Sequence, residues 1–319
     1  MTALARQAEF YAARLLAGTL GSLPRGPGGR LGALAGAAAH AAGARREIVR
    51  AQIAAAFPDR DRAWVEDTAI GCYRHFGREA AEIVRLHRTG GGALQARMRT
   101  DEATERCIER MLAGEGTILV TGHLGNWEVA AAYLAARGVQ LAAVVKRQSN
   151  ERFDEWIARS RCDVGIEPVY MDEARDVVPG LLAAGRSVAL VADQDARSRG
   201  VVVPFLGRPA STFTGPARFA LATGSALVFG LAVREGSGYR SYIEPVRTAA
   251  HPTTADEGSI LSLTRQWVEK LDRHVRDRPR QYFWFHRRWK GQPDARAAGR
   301  NDSPVSTVPH SDPKQEQTT

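Results

Sequence analysis

Lysine is nearly missing from this chain: Lys146, Lys270, Lys290 and Lys314 are its lysines, and arginine supplies the rest of its 44 basic side chains. Against 35 acids these leave a formal charge of +9 and a pI near 9.9. Such an excess suits acidic partners: an anionic membrane face, phosphorylated lipids, an acidic carrier protein or nucleic acid. Cysteine is scarce too. Cys72, Cys107 and Cys162 lie far apart, without the close pairing that structural zinc or a redox motif requires. They read as small buried hydrophobes in a reducing compartment. Also lacking is an apolar run of about 20 residues, the length a membrane crossing needs. The nearest approaches, "FYAARLLAGTLGSL" and "LGALAGAAAHAAGA", are shorter, rich in Ala and Gly, and separated by "PRGPGGR". Glu9 and Arg14 interrupt the start, so no secretory signal is read there. The expectation is a cytoplasmic protein that lies on a membrane without crossing it.

What is present is enough apolar material for a sizeable core, 44% of 319 residues. Residues 1–45 give two short helical patterns around the Pro/Gly break, and "RREIVRAQIAAAFPD" gives a third ending before Pro58. Residues 60–90 repeat apolar side chains at helical spacing. Strand-length runs then alternate with helices: "TILVTG", "LAAVVK", "EPVYM" and "SVALVAD" are each separated by a helical stretch. That alternation predicts an α/β fold with parallel crossovers. "SALVFGLAVRE" and "YRSYIEPV" read as adjacent strands joined by a Gly-containing turn, which makes the sheet mixed but largely parallel. In "ILSLTRQWVEKLDRHVRDRP", Leu263, Trp267, Leu271 and His274 or Val275 share one helical face. The expected organisation is a helical, membrane-associating region over 1–58, a catalytic α/β domain over 59–290 and a disordered, polar, Pro-rich tail over 291–319.

Chemistry is expected where "GTILVTGHLGNWEVAAAYLAARG" turns from strand to helix. His123 and Glu128 stand five residues apart, which on one continuous helix would separate them by about 140°. The pair makes geometric sense with His123 in the loop at the strand end and Glu128 in the first helical turn, its carboxylate holding the imidazole Nδ1–H. Asn126 suits the N-cap, while Gly122 and Gly125 let the chain bend and a ligand approach. Such a corner lies at the carboxyl end of a parallel strand, where α/β folds place ligands. An imidazole, a carboxylate and free N–H groups there can deprotonate a hydroxyl and stabilise an oxyanion. The same spacing also fits a loop histidine and a glutamate drawn to the helix dipole.

Four ordered motifs carry a resemblance. "TGHLGNWE" is similar to the His-x4-Asp/Glu motif of glycerolipid acyltransferases, in the form found in the late acyltransferases of lipid A biosynthesis. "VVKRQSNERFDEWIARSR" resembles that family's Lys/Arg-x-x-Asn segment and Arg-x-Arg. "VALVADQDARSRGVVVPFLGRPASTFTG" resembles its Asp-Gln and Pro-Phe-x-Gly blocks, and "PRQYFWFHRRWK" its aromatic, basic ending. The likeness spans about residues 10 to 290. It implies transfer of a fatty acyl chain from an acyl thioester, carried by acyl carrier protein, to a hydroxyl of a lipid A precursor or related glycolipid at the cytoplasmic face of the inner membrane. By position, His123 would be general base and Glu128 its partner. Asn126, Arg159, Arg161, Asp193 and Thr212 would be substrate-binding, with Arg159 favoured over Arg161 for the carbonyl or a phosphate, and with Asp193, in a block that borders the family's active site, supporting either the histidine or the acceptor. No metal and no cofactor is required. The anionic cytoplasmic leaflet is the expected partner surface, and no nucleic acid partner is expected.

Two departures from the family pattern, an N-terminal anchor weakened by its charged Gly/Pro-rich break and motifs that read Arg280 inside Pro-x-Gln-Tyr and lack Lys-Pro near "VVKRQSN", admit another acceptor. A phosphatidylinositol mannoside or an aminoacyl lipid, with acyl-CoA as donor, would use the same chemistry. A thioesterase would release thiol without added lipid. A basic binding module for membrane or nucleic acid is the non-enzymatic alternative. Against nucleic acid, the aromatics are not interleaved with basic residues along strands, and no helix-turn-helix or zinc-finger spacing occurs.

Overall fold

The computed structural model describes residues 3–247 and 254–290; the expected polar tail lies outside these. Four helices open the chain: α1 (Ala3–Ser22), α2 (Arg25–Ala41), α3 (Arg46–Ala56) and α4 (Arg62–Ile83). Pro24 separates the first two, and the Asp61 carboxylate caps α4 by accepting from the Trp64 N–H at 2.7 Å. The small residues of α2 have a packing reason. A Cβ on Gly32 would lie 2.2 Å from the Gly77 carbonyl oxygen, and one on Gly36 would lie 2.0 Å from that of Tyr73. Helices α2 and α4 therefore touch backbone to backbone, an approach that a side chain at either position would block. No helix among the described residues is long and apolar enough to cross a membrane.

The remaining chain is the expected α/β fold. Its elements are α5 (Gly91–Gln95), β1 (Met98–Arg99), α6 (Glu102–Leu112), β2 (Thr117–Thr121), α7 (Trp127–Ala136), β3 (Leu141–Val145), α8 (Glu151–Cys162), β4 (Ile166–Tyr170), α9 (Ala174–Ala183) and β5 (Ser187–Val191). They continue with β6 (Val201–Phe205), β7 (Arg208–Thr212), α10 (Gly215–Thr223), β8 (Ala226–Glu235), β9 (Gly238–Arg247) and α11 (Glu257–Asp277). Seven strands form one sheet in the order β1-β9-β8-β2-β5-β3-β4. Every neighbouring pair in it is parallel except the β8–β9 hairpin. Strand β2 lies inside the sheet with all five residues buried, which accounts for the consecutive apolar Ile118, Leu119 and Val120 in place of polar alternation.

Alternate residues of the sheet face two cores. Ile118 and Val120 of β2, Val188 and Leu190 of β5, and Leu227 and Phe229 of β8 pack with α3, α4, α9, α10 and α11. Leu119, Ala189 and Val228 point the other way, onto Ile108 of α6 and Val129 and Tyr133 of α7. On α11 the predicted stripe is buried, with Leu263, Trp267, Leu271 and Val275 all in the first core. An antiparallel hairpin, β6–β7, stands apart from the main sheet. Its loop is Leu206-Gly207, with φ of 52° and 77°. Positive φ at both central residues is the twist-matched turn of two-residue hairpins. The Asp272 carboxylate of α11 holds this turn by accepting from the Leu206 N–H.

A buried polar knot fastens α4 to the sheet. The Glu79 carboxylate, 1% exposed, accepts from Tyr239 Oη at 2.5 Å, from Asn126 Nδ2 at 2.8 Å and from the Arg234 guanidinium. Burial favours its neutral form, but His75, Arg234 and Tyr239 outweigh burial and hold its pKa below the usual glutamate value. Removing one member of a buried ion pair leaves the other uncompensated, at about 3–5 kcal/mol. Glu79→Ala should therefore lose stability of that order in urea unfolding; a loss under ~1 kcal/mol would show that Arg234 finds water instead. For Gly77→Ala the expected loss is about 1–3 kcal/mol from overpacking, with faster amide exchange in α2. Unchanged exchange would mean that α2 does not need the close approach.

Candidate active site

Register brings the chemistry together. Strands β2 and β5 pair in parallel with Thr121 opposite Val191, so His123 and Asp193, each two residues further on, emerge side by side at the carboxyl edge. The Ala192 N–H still donates to the Thr121 carbonyl at 3.0 Å. One residue later the ladder is replaced by side-chain bonds: Asp193 Oδ1 lies 2.6 Å from His123 Nδ1, and its Oδ2 accepts from the His123 backbone N–H at 2.8 Å. Gly122 makes room, since a Cβ there would lie 3.0 Å from Asp193 Oδ2 and 2.8 Å from Leu271. Asp193 is 2% exposed. Burial opposes its charge, but the imidazole, the two hydrogen bonds and the nearby Arg288 prevail and hold its pKa at about 2.

The loop then turns over β8. Gly125 has φ of 68° and its Cα passes so close to β8 that a Cβ would lie 2.0 Å from the Ala232 oxygen. Asn126 is the N-cap of α7, accepting from the Val129 N–H at 3.0 Å. Its amide nitrogen donates to Glu79, so the cap itself is anchored in the buried knot. Glu128 sits in the first turn of α7 but not against the imidazole. Its carboxylate takes a two-pronged bond from Arg161 of α8, at 2.5 Å from Nη2 and 3.1 Å from Nε. The partner expected for His123 is thus corrected to Asp193. The reason is topological: an adjacent strand end reaches Nδ1 directly, while the Trp127 ring fills the α7 side of the imidazole at 4.7 Å. Arg159 and Arg161 are two positions apart on a helix, about 200°; Arg161 faces α7 and Arg159 is exposed.

The C-terminal aromatic segment closes the site from far along the chain. Tyr282 pairs antiparallel with Leu124, and the Phe283 N–H donates to the His123 carbonyl at 2.9 Å. Ring centroids of Phe283 and His286 lie 5.9 and 5.1 Å from that of His123. Phe76 and Phe285 extend the aromatic wall. Gln194, next after Asp193, places Nε2 3.4 Å from His123 Nε2 and 2.8 Å from His286 Nε2. Burial, and then the charge of His123, lower the pKa of His286 to about 4.

Behind Asp193 lies Arg288, 2% exposed, donating to the Ser211 carbonyl at 2.5 Å and to Thr212 Oγ1 at 2.6 Å. Thr212 is fully buried and also donates to the Ala210 carbonyl. Its hydroxyl thus braces the wall behind the dyad. The resemblance sets the Asp193-Gln194 block at the border of the site, but sequence reasoning reads His286 as structural and does not place Gln194, His286 or Arg288 beside the imidazole. The signals were the polar residues directly after an apolar strand and the dense "QYFWFHRR" run. Among the described residues no group of three or more His, Cys, Asp or Glu side chains is arranged to hold a metal ion.

A histidine fixed by an aspartate at one nitrogen, its other nitrogen met by a long contact from Gln194 and its side chain still 14% exposed, is equipment for moving a proton. Comparison with known proteins gives that equipment a setting. The chain is 24% identical over 219 residues to a phosphatidylinositol mannoside acyltransferase of Mycobacterium tuberculosis, covering 67% of each chain. It is 24% identical over 181 residues to the protein of the same name in Mycolicibacterium smegmatis, covering 56% of this chain and 58% of that one. With the lipid A biosynthesis palmitoleoyltransferase of Escherichia coli it shares 26% identity over 197 residues, 60% and 61% of the two chains. The model of the bacterial lipid A biosynthesis acyltransferases matches residues 10–291, the helical first third and the α/β fold together, and the chain belongs to that family.

Proposed function

We propose that the protein transfers a fatty acyl chain from a thioester, on acyl carrier protein, to a hydroxyl of a lipid A precursor or a related glycolipid. The observation that carries the reading is the 2.6 Å contact of Asp193 with His123 Nδ1, in a ring whose side chain keeps 14% exposure. With Nδ1–H donated to an ionised carboxylate, Nε2 holds the lone pair that accepts the hydroxyl proton. The hydroxyl oxygen attacks the thioester carbon, and the carbonyl π electrons move to oxygen. The collapsing intermediate expels the thiolate, which takes the proton back from His123. Asp193 stabilises the imidazolium between the two transfers. Glu128 holds the Arg161 fork at the rim of the site, where a guanidinium can meet a developing oxyanion or a phosphate. Exposed Arg159 is a second cation for that phosphate. Asn126 and Thr212 act on substrate indirectly, through the α7 cap and the Arg288 wall.

The same dyad would serve a phosphatidylinositol mannoside with acyl-CoA as donor, a reading supported by the names of the mycobacterial relatives. Either acceptor lies in a membrane. Tyr11, Leu15 and Leu16 of α1 and Leu31 and Leu34 of α2 expose large apolar side chains, at spacings that recur on one helical face. Residues 1–58 thus supply an apolar surface for the anionic cytoplasmic leaflet, and 59–290 the catalytic domain.

The deciding measurement is thiol release from acyl carrier protein and CoA thioesters, with and without lipid extract, followed by mass spectrometry of the lipid product. His123→Ala should lose about 10²–10⁴-fold in kcat; a folded variant with near-normal turnover sinks the reading, and release independent of lipid converts it to a thioesterase.

Acid titration tests the dyad separately. The Asp193 pKa lies at about 2, below its ordinary 3.8, so its contribution is fully present above 3.8 and fades as pH falls toward 2. At ~1.4 kcal/mol per unit this is about 2 kcal/mol. In urea unfolding, Asp193→Asn should be less stable than wild type at neutral pH, with the gap narrowing below pH ~4 as wild-type Asp193 protonates. A gap constant with pH would show that the carboxylate gains nothing from its charge.

A further inference from the structure

Gln194 bridges the reactive nitrogen of His123 to a second histidine, and proton counting fixes its orientation. Asp193 is an acceptor only, so the His123 proton resides on Nδ1 and its Nε2 offers a lone pair. The group facing that lone pair at 3.4 Å must therefore be the N–H side of the Gln194 amide. The second N–H of the same NH₂ points to His286 Nε2 at 2.8 Å. His286 then accepts at Nε2 and carries its proton on Nδ1, in keeping with a ring that burial keeps neutral. Both hydrogens of one amide are thus assigned. The bond to His286 is short and anchors it, while the one to His123 is long and easily replaced.

We propose that Gln194 is a catalytic residue: its amide N–H, oriented by His286, is displaced from His123 Nε2 by the acceptor hydroxyl and donates to the thioester oxygen as that oxygen becomes an oxyanion. The inference rests on the acyl-transfer reading above. A hydroxyl that hydrogen-bonds to His123 Nε2 places the attacked carbon one bond further from the ring. The freed N–H lies beside that position, on a side chain already immobilised by His286, so little reorganisation accompanies charge development. The balance is simple: the hydroxyl oxygen forms the C–O bond as the carbonyl π pair moves to oxygen and the hydroxyl proton goes to His123. On collapse the oxygen pair re-forms the carbonyl, the C–S bonding pair leaves on sulfur, and His123 returns the proton to the thiolate. Gln194 stabilises charge throughout and exchanges no proton. His286 is a positioning residue, since it acts through the amide.

The test compares Gln194→Met and Gln194→Glu, both close in volume, with His286→Ala, His123→Ala and wild type in the thioester assay, with thermal melts confirming the fold. Loss of one oxyanion donor typically costs about 10²–10³-fold in kcat. Gln194→Met should show that loss with KM unchanged, because the bond exists only in the transition state. Gln194→Glu should fall at least as far near neutral pH, where its carboxylate opposes the oxyanion. Its kcat should peak at lower pH than wild type, as a protonated carboxyl regains a donor. His286→Ala should lose less, again in kcat. A folded Gln194→Met within about threefold of wild type, while His123→Ala is inactive, overturns the role of Gln194 and leaves the base intact. Normal turnover by His123→Ala overturns the acyl-transfer reading itself. A Gln194→Glu pH profile matching wild type in shape assigns Gln194 a structural part only and also overturns the proposal.

Discussion

The contact between Asp193 and His123 depends on parallel pairing in register, and much of the molecule is arranged to preserve it. An aspartate and a histidine 70 residues apart in sequence meet because two neighbouring strands end level. A slip of one residue would turn every side chain of the slipped strand to the opposite face. The two apolar cores forbid that slip, since Ile118 and Val120 cannot exchange places with Leu119 without burying the wrong shapes on both sides. Rigidity at the dyad is thus inherited from packing on both faces of the sheet rather than from the loop that bears the histidine.

The loop has its own constraints, and they lead to the helical first third. Gly122 and Gly125 permit contacts of the His123 loop with α11 and β8 that any side chain would prevent. Asn126 connects the start of α7 to Glu79 of α4, and Glu79 is tied to β8 and β9 through Arg234 and Tyr239. Gln281 bonds both Gly125 and Arg234, which sets the register of the aromatic segment against the loop. The helices that expose Leu15, Leu16 and Leu34 are therefore joined to the His123 corner in two steps: α1 and α2 pack on α4, and α4 holds the cap through the buried bonds of Glu79.

The order of elements from β2 to β5, the β8–β9 hairpin and the buried stripe of α11 are legible in the sequence because each rests on local periodicity. Also legible are the N-cap at Asn126 and the place of His123 at a strand end, since both follow from short-range turn chemistry. That Asp193 rather than Glu128 takes the imidazole nitrogen is not. Spacing puts Glu128 near His123 along the chain, but β5 lies beside β2 only after three crossovers, and no local pattern reports strand order. The hairpin over Val201–Phe205 and Arg208–Thr212 is hidden for a different reason: Pro204, Pro209 and a Leu at positive φ obscure the turn signal that Asn-Gly would give. His286 and Arg288 reach the site through a non-helical tail segment, where periodicity carries no information.

Scarcity of lysine takes on a structural meaning once the carboxylates are placed. Glu128 is gripped by both Arg161 prongs, Glu82 by two nitrogens of Arg97, and Glu105 by two of Arg137. Arg234 reaches Glu79 while stacking on the Tyr239 ring at 4.6 Å, and Arg288 joins the Ser211 carbonyl to the Thr212 hydroxyl in full burial. Each of these uses a planar fork, which an ammonium cannot reproduce, and a cation that tolerates desolvation better than lysine. The basic excess is therefore divided between two tasks. Part of it cross-links the framework that levels the two strand ends. The part left exposed, Arg159 among it, gives the surface its positive field.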